Sequence, residues 1–534
     1  MAKTRIRAKS RTNAQSCPLR FRPRRLATVL LALLAALSVA CGGGGGSSAP
    51  PPAVGAPPPV PAPAPPPAPA PPAQKVFEPV PAYEGEYEAL FSLDTIKTIH
   101  IRISEQEWNG LLNDVDHNPR SEVYRRADFF FGDDIATAQY VPGVGFRIRG
   151  NSYSRKRPES GGGLHDPAAS LVRAHFKIKF NEQFDEDESA YGPPSTDIPE
   201  QPLYKGRTFA GVRGLNLKFN NNDPTYMREV LSYDLFRRVG VHTLRQAYAK
   251  LYIEIGDEPE RYAGVYLMGE NLDKEWARRR FDKNSYLFKC LYQQYGPADL
   301  STGDRDHNAN TGAIGEEITD PAFFGDPWSA YRPAYDLKTK DDEFLEAEAR
   351  LNDLIDLLNG NPSQAQLEAA IDIPTLLKAQ AVNVFLGMWD DYWRNGNNYY
   401  LFFDEVSQKW FFVPYDYDIT FFDSIFGIDG LENASFMRWG DGRLSGNPVL
   451  MDRVLAFSDF REQYKNYIRA LYDPAEKILD INTLTQRLSA MRNVVQPHTN
   501  GYQALDEVPY NSSHAQIQNF VLDRTAQAIQ EIGN

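Results

Sequence analysis

The spacing of apolar residues changes along this chain, and each change predicts a different element. First comes an apolar run of 15 residues, LATVLLALLAALSVA at 26–40. It is too short for a comfortable bilayer span and suits the core of a signal peptide. From about residue 88 the sequence turns strand-like, in LFSLDTIKTIHIRI, followed by a short helix around 104–114. Strand patterns recur at 127–131, 145–149, 175–180 and 214–219. The period then becomes helical over 225–239, where Met227, Val230, Leu231, Leu235 and Phe236 share one stripe. Asp223-Pro224 opens that helix and Gly240 stops it. Strands at 247–255 and 262–268 flank the turn-like Gly256-Asp257-Glu258-Pro259, and 286–291 reads as another strand. Residues 294–340, rich in Gly, Asp and Asn, read as a long loop or insertion. Helical spacing resumes at 341–358, 363–370 and 373–388. A hairpin follows, 398–403 with 409–414, and the tail from about 446 is mostly helical. Strands first and helices later, in one continuous block, fit a two-lobed α+β architecture.

Charge separates the body from its leader. The chain of 534 residues carries a formal net charge of −13. Residues 1–25 hold nine Lys or Arg and no acid; without them 48 basic side chains face 70 acidic ones, a net of −22. A body so acidic is a poor nucleic-acid binder, because phosphate contacts need a cationic face. It suits a metal-dependent site or a basic protein partner. Of three cysteines, only Cys290 lies in the body, so no intrachain disulfide is expected there. Cys290 has no neighbouring His and sits in an apolar strand pattern, which predicts a buried structural thiol.

Cys41 closes the apolar run in Leu37-Ser38-Val39-Ala40-Cys41 and precedes five glycines. This looks like a lipobox, with the leucine at four positions before the cysteine. Lipidation of Cys41 would anchor the chain, and Gly42 in place of Asp points onward to the outer membrane or cell surface. Residues 1–40 are thus expected to be a lipoprotein signal peptide. Residues 41–74, Gly/Ser-rich and then Pro/Ala-rich, form a linker that cannot bury enough apolar surface to fold. It would hold an exported, membrane-anchored body away from the lipid.

Two polar clusters stand out. Trp389-Asp390-Asp391-Tyr392-Trp393-Arg394-Asn395-Gly396-Asn397-Asn398 follows an apolar helix and precedes a strand, so it should be an exposed loop on a rigid support. Pro414-Tyr415-Asp416-Tyr417-Asp418 leaves a strand with its aspartates alternating, so both should point one way and the aromatics the other. A hairpin between them brings the clusters side by side. Carboxylates and amide oxygens then converge in an oxygen-rich set suited to Mg²⁺ or Mn²⁺ bridging phosphates.

The ordered pieces GVGFRIRGNSYSRKRP, AHFKIKFN, LNLKFNNNDPTYMREVLSYDLFRRVGV, YAGVYLMGENLDKEWARRRF, WDDY…NNYYLFFD and VPYDYDITFF make 143–422 resemble the spore coat protein H (CotH) kinase-like family. The resemblance implies an atypical protein-kinase-like two-lobed domain over 88–440, with 441–534 a helical C-terminal extension of it. It implies ATP and Mg²⁺ or Mn²⁺ as cofactors and an exported protein substrate phosphorylated on Ser or Thr. Asp390 or Asp391 would take the catalytic aspartate's role. Asp416 or Asp418 would bind metal, Asp416 the favoured one, assisted by Asn397 and Asn398. Arg149, Asn151 and Ser152, in the family's RGNS turn, would approach phosphate. Lys177 or Lys179 would neutralise phosphates and pair with Glu229, with Arg228 an equal candidate for phosphate. Glu270 would sit at the hinge or in the nucleotide site, or cap its strand.

Two other functions stay open. One is a non-catalytic surface or coat protein on a kinase-like scaffold; the other is a different nucleotide transfer, such as adenylylation. The stretch Asp304-Arg305-Asp306-His307-Asn308-Ala309 begins like a calcium loop but lacks Gly at its sixth position and Glu at its twelfth, Gly315. It reads as a polar surface loop.

Overall fold

Seven strands, each alternating between a dry interior and an outer face, close on themselves as a barrel. In the computed structural model they are β1 (Lys97–Ile103), β2 (Arg125–Phe131), β3 (Gln139–Arg149), β4 (His175–Lys179), β5 (Gly214–Lys218), β6 (Gln246–Ile255) and β7 (Arg261–Glu270). The order is β1-β2-β3-β4-β5-β7-β6, and a parallel pairing of β1 with β6 shuts the ring. Ile99, Phe129, Phe146, Ile148, Ile178 and Leu217 fill the interior, each at most 2% exposed. Residues paired across strands share a side, so Arg147, Arg149, Lys177, Lys179, Asn216 and Lys218 stand together on the outer face. The structure describes residues 75–83, 85–118, 120–150, 155, 157–158, 174–184, 204–220, 223–281, 285–293, 295–305, 312–315, 332–499 and 507–533.

Between β5 and β6 the chain forms the helix Arg228–Arg238. Asp223 starts it, one carboxylate oxygen accepting from the main-chain N–H of Met227 and Arg228, both at 2.8 Å. Nine of its eleven residues are buried, so it has almost no solvent face. Its apolar side joins Tyr248, Val265 and Leu267, from the barrel's outer wall, in a second hydrophobic core.

That core is built on a five-stranded sheet, in the order β12-β11-β8-β10-β9. The strands are β8 (Tyr286–Cys290), β9 (Ile314–Gly315), β10 (Tyr335–Leu337), β11 (Tyr399–Asp404) and β12 (Lys409–Pro414). The β11–β12 hairpin runs in register from Tyr399 opposite Pro414 to Asp404 opposite Lys409. Cys290 is fully buried with a free thiol, which burial pushes well up. Helix Ile373–Phe385 is capped by Asp372 and carries Pro374 in its first turn.

Two segments of the fold depart from the elements read in the sequence in ways that shape its two sheets. The strand expected from residue 88 begins only at Lys97; Glu86–Leu90 is a helix, because Tyr87, Leu90 and Phe91 bury at helical spacing. The 294–340 segment is not all loop, since β9 and β10 pair into the second sheet.

The tail is helical, as Leu450–Val454, Ser458–Tyr472, Ile481–Val495 and Glu507–Ile532. The last helix packs behind the loop that leaves Ile373–Phe385. Gly387 takes φ +67°, and a β-carbon there would lie 2.6 Å from the Phe520 ring, so only glycine admits this contact. Arg524, fully buried, donates to Val384 O at 3.0 Å, and Gln516 Oε1 accepts from Arg228 at 2.9 Å. No described helix is long and apolar enough to cross a membrane.

Candidate functional site

Lys218, at the end of β5, holds three carboxylates. Its ammonium lies 2.6 Å from Asp416 Oδ1, 3.0 Å from Glu229 Oε2 and 3.2 Å from Asp418 Oδ2. Each partner comes from a different setting: Glu229 from the buried helix, the aspartates from the extended stretch after β12. Burial pulls the lysine toward neutrality, but the three carboxylates outweigh it and hold the ammonium well above its ordinary pKa.

Asp416 adopts φ +62°, a strained backbone for a residue with a β-carbon. Its N–H donates to Tyr233 Oη at 2.8 Å, which fixes that turn. Tyr417 turns the opposite way and donates to Asn383 Oδ1 at 2.7 Å in the core. Despite burial, Lys218 keeps the Asp416 carboxyl below its usual value. Burial pushes Asp418 up to about 7, with the negative charges of Asp416 and Glu229 adding to it beyond what Lys218 takes back. Three carboxylates thus converge on Lys218, and Asp416 and Asp418, the two partly exposed ones, would be the pair to offer oxygen to a divalent cation. Among the described residues no three His, Cys, Asp or Glu side chains stand at ligand spacing. A divalent ion here would take one or two carboxylates and complete its shell from phosphate and water, as Mg²⁺ commonly does.

Asp390 sits in a cradle of amides. Asn395 Nδ2 donates to its Oδ1, Asn397 Nδ2 reaches the same oxygen at 3.0 Å, and Asn398 Nδ2 reaches Oδ2 at 3.0 Å. Burial raises its carboxyl above the usual range, the charge of Asp416 adds to this, and the amides pull it back. Asn397 and Asn398 turn nitrogen toward Asp390, and Asn397 Oδ1 accepts from Tyr292 N–H at 2.7 Å. Both amides thus serve the carboxylate through nitrogen, and the Asn397 oxygen is already taken.

Asp391 faces away, into the core, and is 3% exposed. It caps the short helix Tyr392–Asn395 through Arg394 N–H at 2.8 Å and accepts from Trp439 Nε1 at 3.0 Å and from Asn383. Burial pushes its carboxyl up to about 7 against the pull of these three donors. Of the two adjacent aspartates, only Asp390 can meet a ligand.

The remaining expected residues divide. Arg149 reaches the stretch that holds Asp416, its guanidinium donating to Tyr415 Oη at 3.4 Å. Lys177 shares the outer face with Lys218, but it sits beside Arg147, Tyr124 and Glu122, and burial lowers its pKa. Lys179 pairs with Glu182 at 2.8 Å. Neither pairs with Glu229, whose lysine is Lys218. Arg228 is fully buried on Asp223, Thr420 O and Gln516, so it is a structural contact and not a phosphate ligand. Glu270 is 1% exposed and bound to Arg280 and to Arg245 N–H, which makes it a buried strand-end anchor. Asn151, Ser152 and Cys41 lie outside the described residues. Lys218 and Tyr233 were not anticipated. The alternation of Asn216 and Lys218 on one side of β5 was the available signal for the lysine, the same signal that marked Lys177 and Lys179.

Behind the Asp390 loop stands a pair of buried acids. Asp304 is not on a polar surface loop: one of its oxygens accepts from Asp299 N–H, Leu300 N–H and Tyr335 Oη–H at 3.0, 2.9 and 2.5 Å. Asp299 O accepts from Tyr392 Oη at 3.2 Å, which ties the pair to the loop. Burial, then the nearby Asp299, pushes Asp304 up to about 7. The folded state therefore holds a proton that the unfolded chain releases near pH 4. This stabilisation is full below that pH and lost as pH rises through 7. Between pH 6 and 8 it should cost about 1 kcal/mol, and Asp304→Asn, always neutral, should show a flatter pH dependence in urea unfolding. Identical slopes in both proteins would refute the retention of a proton on Asp304. A separate cavity of about 350 Å³ touches the loop through Trp393 and is also lined by Met437, Arg438, Asp441 and Arg443; Lys218, Asp390 and Asp416 do not line it.

A family profile described as CotH kinase protein matches residues 146–527, a stretch holding Lys218, Glu229, Asp390, Asp416 and most of the last helix. The inner spore coat protein H of Bacillus subtilis is 24% identical over 298 residues, covering 55% of this chain and 71% of that protein. Invasin CotH2 of Rhizopus delemar is 22% identical over 305 residues, 54% of this chain and 45% of its own length. Spore coat protein homolog 1 of the same organism is 20% identical over 296 residues, covering 55% of this chain and 44% of its own. The chain thus spans less than half the length of the two Rhizopus proteins.

Proposed function

Because the chain belongs to the CotH kinase protein family, we propose that it is an atypical protein kinase carrying the γ-phosphate of ATP to Ser or Thr of exported proteins. The observation that carries the reading is Lys218 joined at once to Glu229 and to Asp416, with the amide-cradled Asp390 close enough to feel the charge of Asp416. Phosphoryl transfer needs cations on the phosphates and a carboxylate beside the acceptor hydroxyl, more than it needs covalent chemistry. Lys218 supplies the first. Asp390 supplies the second: it orients the hydroxyl and accepts its proton. Asp416 and Asp418 would hold Mg²⁺ or Mn²⁺, which when bound would supply positive charge to the phosphates. Arg149 stands where it can meet the nucleotide's charge. In this reading the barrel is one lobe and the second sheet with its helices is the other, with 441–534 as an extension of the same domain. A lipid on Cys41 would tether it at an outer membrane or cell surface.

The names of the relatives, a spore coat protein and an invasin, favour a second reading, a surface assembly or binding protein on the same scaffold. Incubating the full chain with Mg²⁺ or Mn²⁺ and ATP labelled at the γ- or α-phosphate separates the possibilities. Transfer of γ-label to the chain or to casein, lost in Asp390→Asn and Asp416→Asn, supports the kinase. Transfer of α-label identifies adenylylation instead. No transfer and no ATP binding by calorimetry leaves the binding protein.

A further inference from the structure

We propose that Ser445 is a positioning residue of this site, its hydroxyl setting the Asn395 amide so that nitrogen faces Asp390. The inference rests on Asp390 having the role given above. Ser445 Oγ lies 2.5 Å from Asn395 Oδ1 and 3.1 Å from Asn395 O. A carboxylate only accepts hydrogen bonds, so the amide atom touching Asp390 is nitrogen. The oxygen then faces Ser445, and the hydroxyl donates to it. Two amides of the cradle are therefore held from behind, Asn397 by Tyr292 N–H and Asn395 by Ser445, while Asn398 Nδ2 adds a second bond to Asp390 O at 2.9 Å. The terminal torsion of asparagine is broad, so without a partner the Asn395 amide is free to swing.

The chain fixes Ser445 in place by close approach on both sides. A β-carbon on Gly442 would land on the Arg394 guanidinium. Gly446 takes φ +69°, and its β-carbon would lie 2.7 Å from Asp299 Oδ2. Leu444 N–H donates to Arg394 O at 2.9 Å, and Asn447 N–H to Asp299 Oδ2 at 2.5 Å. The 442–447 turn is thus pressed onto the Asp390 loop with Ser445 as its one side-chain contact to Asn395.

The test has a readout that does not need catalysis. In the full chain labelled with ¹⁵N-asparagine, the Asn395 side-chain amide is assigned by its loss in Asn395→Ala. Its hydrogen exchange should rise at least tenfold in Ser445→Ala and return to wild type in Ser445→Thr, which keeps the donor. With γ-labelled ATP, Mg²⁺ and casein, Ser445→Ala should lower kcat about tenfold and leave KM for ATP unchanged, and threonine should restore it. Should Ser445→Ala not fold, Ser445→Cys provides a weak donor of similar size and should fall between. An unchanged amide resonance in Ser445→Ala, or a raised KM with normal kcat, overturns the proposal. If wild type transfers no phosphate, the kinase reading falls, and the amide resonance alone decides whether Ser445 holds Asn395.

Discussion

Replacing Lys218 with methionine should lower γ-phosphate transfer at least about a hundredfold, more than any other change on the barrel's outer face. The substitution removes the single cation that three carboxylates share. It should also destabilise the fold by roughly 2–3 kcal/mol, because Glu229 stays buried without its partner. The double variant Lys218→Met, Glu229→Gln separates the effects: it should regain most of the stability in urea unfolding and none of the activity. Lys177→Ala should cost less than tenfold, since Lys177 lies beside Glu122 and Tyr124 and not on Glu229. A larger loss at Lys177 than at Lys218 would give the phosphate to the wrong strand.

The second large effect concerns the adjacent aspartates, which the geometry assigns to different work. Asp390→Asn should reduce transfer about a thousandfold, because the carboxylate that meets the acceptor is gone, and should cost only about 1–2 kcal/mol of stability, since its new amide nitrogen faces one cradle nitrogen while its oxygen still accepts from the others. Asp391→Ala should do the reverse. It orphans the Asn383 amide, the Trp439 indole N–H and the Arg394 N–H together, at a cost of about 3–4 kcal/mol. Whatever fraction stays folded at low temperature should retain its turnover. Calorimetry and kinetics on the same preparations check both halves. Loss of activity in stable, folded Asp391→Ala would show that the two residues had been assigned the wrong way round.

Sequence alone could not make that distinction, and the reason is physical. Two neighbouring aspartates in a loop have the same chemistry; which one turns inward depends on Trp439 and Asn383, 48 and 8 residues away. The lysine was misplaced for a related reason. Lys177, Lys179 and Lys218 all alternate on strands of one face, and only the position of helix Arg228–Arg238 selects Lys218 as partner for Glu229. What was readable was local. The β11–β12 hairpin, the helix opened by Asp223 and the alternation that sends Asp416 and Asp418 to one side each follow from nearby residues. Barrel closure was not readable, because the strand pattern specifies faces and not partners. Arg228, a candidate phosphate contact in sequence, is a buried anchor, and of the roles open to Glu270 the structure supports the strand-end one, since a charged side chain can go inside when it is paired.

The way the barrel shuts governs when this protein becomes a protein. β1 has its parallel partner in β6, with Lys97 opposite Ala249 and Ile103 opposite Ile255, about 150 residues further along. No strand neighbouring β1 in sequence can substitute, so the ring stays open until β6 has been made and has found it. Loop closure on that scale comes before any contact repays it, which makes for slow folding with strong hysteresis between unfolding and refolding. Lys218 belongs to the open part until then. A nascent chain therefore passes through a long interval with neither a closed barrel nor the full set of Lys218 ion pairs in place, and a fragment ending before β6 would contain five of the seven barrel strands, with Lys218 and Glu229 but without Asp390, Asp416 or Asp418.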